Sequence, residues 1–395
     1  MSSIEIKPQV YWVGAVDWAV RAFHGHTYTT QRGTTYNSYL IRDEKIALVD
    51  TVYRPFAREM IEHISTVVDP AKIDYVIANH VEIDHSGGLP MLMKLCPKAK
   101  VVGTQKCRDG LFKHYYENWD FQIVKTGDSI KLGKRTLKFI EAPMIHWPDS
   151  MFTYCPEEQL LMPNDAFGQH LASSERFADQ VDQCALWEEA KKYYANILWP
   201  LGTVISRKIE EVVKMNLEVS VIAPSHGLIW RRNPMQIVQQ YAAWAKQETS
   251  AAAVIVYETM WKATEKMARR IAEGISDAGV PVKVYNIAEA DRTEVIADML
   301  QAKGFLFGSS THDNDMLPAI AGFLELVKGF KPRNRLVSAF GSYGWAGGAV
   351  KEIEEAVKEA GMEVSLPPLS FRFVPDQMEL QKCFLFGRSF GELLK

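Results

Sequence analysis

The sequence predicts an α/β chain in two parts, a β-rich region reaching about residue 247 and a doubly wound parallel sheet after it. Three observations carry this. Short β-rich runs broken by turn signals alternate with isolated helical patterns through the first part. From Ala251 the texture changes to a regular strand–helix period, the pattern of a parallel sheet with helices on its faces. At 395 residues the chain is also long enough for two domains, each burying its own core.

Taken in order, residues 10–13, 46–49, 100–102 and 137–140 read as strands, and 54–67 and 206–217 as helices. Together they predict two β-rich halves covered by helices. A helical stretch near 234–247 runs into Lys246-Gln247-Glu248-Thr249-Ser250, which reads as a linker and sets the expected domains at 1–250 and 251–395. Beyond it, the apolar run 252–257 reads as a buried parallel strand and 262–278 as its following helix. Strands are expected at 282–285, 304–308 and 335–340, with helices near 292–302, 316–328 and 347–360. Ligand sites in such a sheet lie at the carboxyl ends of strands.

Bulk properties exclude several function classes. A net charge of −3 gives no reason to expect nucleic acid or an anionic membrane surface as partner. No apolar run approaches the roughly 18–20 residues of a spanning helix. The opening M-S-S-I-E-I-K-P-Q-V has neither a basic n-region nor an apolar h-region, so no secretory signal is expected and the cytoplasm is the predicted compartment. The five cysteines (Cys96, Cys107, Cys155, Cys184 and Cys383) form no C-x-x-C pair. That spacing excludes a rubredoxin-type iron site, a ferredoxin cluster or a dithiol motif within the chain. Small buried hydrophobes are the expected reading of all five.

The densest chemistry lies in N-H-V-E-I-D-H-S-G-G at 79–88, where His80, Glu82, Asp84 and His85 follow the apolar run 75–78. A strand continued through this segment would send His80, Glu82 and Asp84 to one side. Carboxylates crowded without a cation repel, and a metal removes that conflict. His146, Asp165 and His226 also follow β-like runs, where a rigid sheet aims them at a common centre. Taken alone, His146 and His226 read as core or loop histidines, and Asp165 as easily as a helix cap. His24, His26, His63, His114, His170 and His312 carry the same structural reading.

The combined set has four imidazoles, three carboxylates and no thiolate. Seven ligands are too many for one ion and suit two ions sharing a carboxylate, with Asp165 the natural bridge. Carboxylate-rich mixed sites favour iron or manganese, whereas histidine-richer sets suit zinc.

The pattern H-x-E-x-D-H, with His146 in H-W-P-D-S, Asp165 in N-D-A-F-G-Q-H and His226 in S-H-G, resembles the flavodiiron proteins over essentially the whole chain. The resemblance implies a metallo-β-lactamase-like αββα sandwich fused to a flavodoxin-like domain. Hydrolases of the former fold usually carry a second histidine where this chain has Glu82. The resemblance also implies one iron on His80, Glu82, His146 and Asp165, and a second on Asp84, His85, His226 and the shared Asp165. His85 varies in its ligation within the family. His24, in F-H-G, matches a position lining the substrate pocket and is the expected catalytic residue.

Three loops extend the reading to FMN. After the first strand of the second part come Glu258, Thr259, Met260, Trp261, Lys262, Ala263 and Thr264. Hydroxyls and loop amides at a helix N-terminus suit a dianionic phosphate, and no Walker-type G-K-[ST] is present. The loops Ser310-Thr311-His312-Asp313-Asn314 and Ser342-Tyr343-Gly344-Trp345-Ala346-Gly347 follow two further strands, supplying backbone and rings to a flavin edge. Compared with the family, Ala263 replaces a frequent hydroxyl residue, and the stretches around Ser310 and Asp313 depart from the usual Pro and Asn. An acid at Asp313 is expected to disfavour the anionic reduced flavin.

The resemblance thus implies reduction of dioxygen to water or of nitric oxide to nitrous oxide at a diiron centre fed by FMN. It implies a head-to-tail homodimer or a dimer of dimers, because the two sites belong to separate domains. It implies an external electron donor, rubredoxin or in some archaeal members a reduced deazaflavin. Two other readings are a zinc hydrolase with a degenerate second domain and a non-enzymatic flavin electron carrier.

Overall fold

The computed structural model describes residues 2–25 and 27–395, so His26 lies outside the described residues. The chain divides into two compact units, one running to Tyr193 and including Thr203–Ala242, the other Tyr194–Gly202 with Ala243–Lys395.

The first unit holds two sheets. The larger has seven strands in the spatial order Ile4–Lys7, Val10–Trp12, Tyr39–Ile41, Ile46–Val49, Ile73–Ile77, Lys100–Gly103 and Phe121–Ile123. Its first four strands pair antiparallel and the remainder parallel. The smaller sheet orders Ser129–Lys131, Thr136–Glu141, Met151–Cys155, Leu160–Met162 and Val221–Ile222. Side-chain alternation sorts the faces. Tyr39, Val49 and Ile77 meet Phe139, Met151 and Met162 between the sheets. Leu40, Leu48 and Val76 turn the other way, onto Met60, Ile64 and Leu92 of covering helices. Phe152, Leu161 and Ile222, on the far face of the smaller sheet, face side chains from the helices Gly202–Lys214 and Met235–Ala245 across a cavity. The result is the helix–sheet–sheet–helix sandwich expected from the sequence.

The second unit is a parallel sheet in the order Val282–Asn286, Ser250–Glu258, Ala302–Ser310, Leu336–Tyr343 and Glu363–Val364, with Leu369–Arg372 also on Leu336–Tyr343. The strand order reverses direction beside Ser250–Glu258, and such a switch point opens a crevice at the carboxyl ends. The segment expected as a free linker is instead packed. Gln247 is buried, and its side chain bonds the Lys331 carbonyl and the Arg333 amide.

A helix over Gln377–Leu394 was not legible from periodicity. Gly387 and Gly391 interrupt its pattern, and the structure gives the reason for the first. A Cβ at Gly387 would lie 2.0 Å from the Ile271 carbonyl oxygen of the helix Ala263–Asp277, so the two backbones pack directly. Asp376 and Glu379 close a capping box at its start.

Candidate functional site

The cluster at 79–88 departs from the extended geometry expected of it. The strand ends at Ile77, and Glu82 starts a short helix, Ile83–Ser86. The turn is enforced locally: the Asp149 carboxylate accepts the Val81 amide at 2.8 Å, and the His85 and Ser86 amides return to the Glu82 carbonyl. His80 and Glu82 therefore lie before a helix and Asp84 and His85 within it, which separates the four side chains into two sets.

Those sets are completed from three distant loops. Donor atoms of His80, Glu82, His146 and Asp165 lie within 4.8 Å of one another, and those of Asp84, His85 and His226 form a second group by the same measure. Asp165 stands between them. Its Oδ2 is 3.3 Å from His146 Nε2 and 3.8 Å from His80 Nε2, whereas its Oδ1 is 2.9 Å from His85 Nε2 and 3.5 Å from His226 Nε2. One carboxylate thus turns one oxygen toward each group.

Burial and bonding test whether these residues fit cations. Asp84 Oδ1, His85 Nε2 and Asp165 Oδ2 are buried without a hydrogen-bond partner among the described residues. His85 Nε2 approaches Asp165 Oδ1 closely yet makes no hydrogen bond, so the atoms converge on shared space rather than on each other. Leaving such groups unpaired is costly, and cations in that space would satisfy them. Two of the imidazoles are already aimed: His80 Nδ1 pairs with Asp149 and His226 Nδ1 with the Thr35 carbonyl, which turns each Nε2 inward. The residues fit a two-cation centre.

The electrostatics are those of a charge cluster. Burial depresses the His80 imidazole, but hydrogen bonds to Asp149 and Glu82 outweigh it and raise the group to about 10. Burial likewise opposes His146, which Asp165 and Glu82 raise to about 10, and His85, which the Asp165 and Asp84 charges raise to about 9. Burial would raise Glu82 and Asp165, yet their histidine partners hold both below the usual carboxylate range. A dication at these atoms would displace the imidazole protons.

The surroundings are aromatic. Trp147 meets His80 edge-on at 5.0 Å, and Phe23, Tyr36 and His170 pack on His226. His170 is fully buried, and that burial, with the His226 charge beside it, pushes its imidazole well below the ordinary range. His24 Nε2 lies 3.2 Å from Glu82 Oε1, with its side chain 29% exposed, so the first group opens to solvent past His24.

Sequence reasoning missed two residues. Asp149, inside the quoted H-W-P-D-S, holds His80 and Val81 together. Asp50, at the end of Ile46–Val49, accepts the Asn79 amide and the Asn79 and Asn164 side chains, tying together the residues that precede His80 and Asp165. Asp149 lies within a quoted motif but its pairing with His80 is not readable from it, and Asp50 carries no motif signal, because both find their partners only through the fold.

In the second unit the three loops meet as expected. Strand register sets Glu258 beside Ser309 and Ser310 beside Ser342. Thr264 Oγ1 lies 2.9 Å from both the Ser310 and Ser342 hydroxyls, and Thr259 Oγ1 is buried with no hydrogen-bond partner among the described residues. A cavity of about 620 Å³ opens there, lined by Met260, Trp261, Ala263, residues 310–314 and 342–346, Phe373 and Val374. Thr259, Lys262, Thr264 and Gly347 are not on its lining, and Phe373 and Val374 were not anticipated. Trp261 and Trp345, 88% and 89% exposed, suit a flat ring that would cover them. Asp313 sits at the rim, 89% exposed and 3.3 Å from His312 Nδ1, so solvent screens its charge.

Among the described residues no helix is long and apolar enough to cross a membrane, and all five cysteines are free, four of them buried as expected and Cys184 exposed against that expectation. A family model described as ODP family beta lactamase matches residues 34–227, and one described as Flavodoxin matches 255–387. A nitric oxide reductase of Moorella thermoacetica is 51% identical over 387 residues, covering 98% of this chain and 97% of that protein. The rubredoxin oxygen:oxidoreductase of Desulfovibrio gigas superposes with a TM-score of 0.96 at 37% identity, covering 100% of this chain and 98% of that one. A flavodiiron protein from Giardia intestinalis does so with a TM-score of 0.96 at 35% identity, covering 100% and 97%.

Proposed function

The chain belongs to the flavodiiron proteins, and on that footing we propose that it reduces dioxygen to water, nitric oxide to nitrous oxide, or both, with electrons delivered through FMN. The observation that carries this is Asp165, which turns one oxygen toward each of two donor groups. We assign His80, Glu82, His146 and Asp165 to one iron, and Asp84, His85, His226 and Asp165 to the other. Glu82 in place of a histidine makes the first group richer in oxygen donors and favours iron over zinc. When bound, the two irons would supply redox-active Lewis-acid sites for the diatomic, and FMN would supply the electrons.

The chain's own residues do the rest. Asp149 and the Thr35 carbonyl fix the tautomers of His80 and His226. Phe23, Tyr36 and Trp147 keep water from the inner side. His24 Nε2, hydrogen-bonded to Glu82 on the open side, orients that carboxylate and hands protons inward. We place the diiron domain at residues 1–250 and the FMN domain at 251–395, with FMN held by the loops 259–264, 310–314 and 342–347. The free cysteines suit a reducing compartment, the cytoplasm.

Anaerobic purification with iron, zinc and FMN assays tests the reading: about two irons and one FMN per chain are expected from the ligand count, with stopped-flow reoxidation by one or both gases. Zinc without flavin would point to a hydrolase instead. A rubredoxin-type donor is the expected reductant, since a relative is named for that partner. A head-to-tail homodimer would bring one subunit's FMN to the other's irons, and light scattering of the active protein checks it; a fully active monomer would refute it.

A further inference from the structure

The outer helices of the first unit do not close fully on the sheet beneath them. Phe152, Leu161 and Ile222 of the smaller sheet, with Ile205 and Val238 of the covering helices, line an apolar cavity of about 230 Å³. Its wall also includes Ile145, Ala166 and Phe167, which directly flank His146 and Asp165. Phe167 packs its ring 4.7 Å from Tyr241, donates its amide to the Tyr241 hydroxyl, and sits at a φ of 69°, a conformation rare for a bulky residue.

We infer that this cavity is a holding site for the apolar diatomic substrate, next to the loops that carry two proposed ligands; the inference rests on the gas-reducing function proposed above. Dioxygen and nitric oxide are weakly solvated and partition into apolar space, as xenon does, and the inner wall here, Phe152, Leu161, Ile205 and Ile222, is buried. A fatty acid fits less well: it would need a cation at the rim, yet Lys208 Nζ is already engaged by the Glu141 carbonyl and Glu211 at 2.8 and 2.6 Å.

Val238→Trp fills the cavity from the helix side without touching a proposed ligand. Crystals of the purified protein under xenon are expected to show xenon in the cavity, and crystals of Val238→Trp none. The variant is expected to raise the KM for the gas several-fold with kcat and iron content unchanged. Val212→Phe, on the other covering helix, repeats the test if Val238→Trp does not fold. Xenon absent from the wild-type cavity, or an unchanged KM, overturns the inference. A changed oligomeric state would assign the groove to a second copy and overturn it as well. A wild type that turns over neither gas defeats the functional reading, whereas an active wild type indifferent to the filled cavity defeats this inference alone.

Discussion

Asp165→Asn is expected to cost both irons at once. Asp165 is 2% exposed, and its two oxygens face different donor groups, Oδ2 toward His80 and His146 and Oδ1 toward His85 and His226. An asparagine of the same shape keeps one carbonyl oxygen and offers an amide NH₂ on the other side, which cannot ligate. It also removes one of three carboxylate charges that balance two dications. Loss of an outer partner alone lowers metal affinity by roughly 10–100-fold, so loss of a shared ligand should reach or exceed about 100-fold for both ions. Iron content after dialysis against a chelator measures this, with a melting curve as control for folding. Retention of both irons would show that Asp165 does not bridge. Retention of one would assign it to a single ion.

Much of this was legible because metal chemistry needs particular side chains, and their identities are printed in the sequence. His80, Glu82, Asp84 and His85 crowd six positions, and the later ligand candidates follow apolar strands that position them. The partition into two groups was less legible from the residues. A strand through 80–84 would have placed His80, Glu82 and Asp84 on one side, whereas the turn capped by Asp149 divides them. Long-range partners leave no local pattern: Asp149 is 69 residues from His80, and Asp50 is 114 from Asn164. The second unit shows the same division. Strand–helix alternation announced the parallel sheet, but Phe373 and Val374 reach the cofactor pocket from a loop with no flavin motif. The C-terminal helix was hidden by the glycines that let it pack.

Asp149→Asn is expected to separate the two ions rather than remove both. The Asp149 carboxylate accepts His80 Nδ1 at 3.0 Å and the Val81 amide at 2.8 Å, so it sets the ring and the backbone of one proposed ligand together. Both donors reach Oδ2 and Oδ1 also lies 3.2 Å from His80 Nδ1, so an asparagine that keeps its carbonyl oxygen at the Oδ2 position turns an NH₂ onto His80 Nδ1. The loop itself should hold, because Thr104 Oγ1 donates to the Asp149 backbone carbonyl at 3.0 Å, which the substitution does not alter. His226 is aimed by the Thr35 carbonyl and is untouched. The ion on His80, Glu82 and His146 should therefore weaken by about 10–100-fold, the usual cost of losing such a partner. The ion on Asp84, His85 and His226 should persist. Mössbauer spectra of iron-57-loaded protein would then lose one component and keep the other, an outcome that general destabilisation would not give. Equal loss of both components would mean that Asp149 supports the fold of the whole loop cluster. Loss of neither would mean that His80 keeps its inward aim through packing against Trp147 alone.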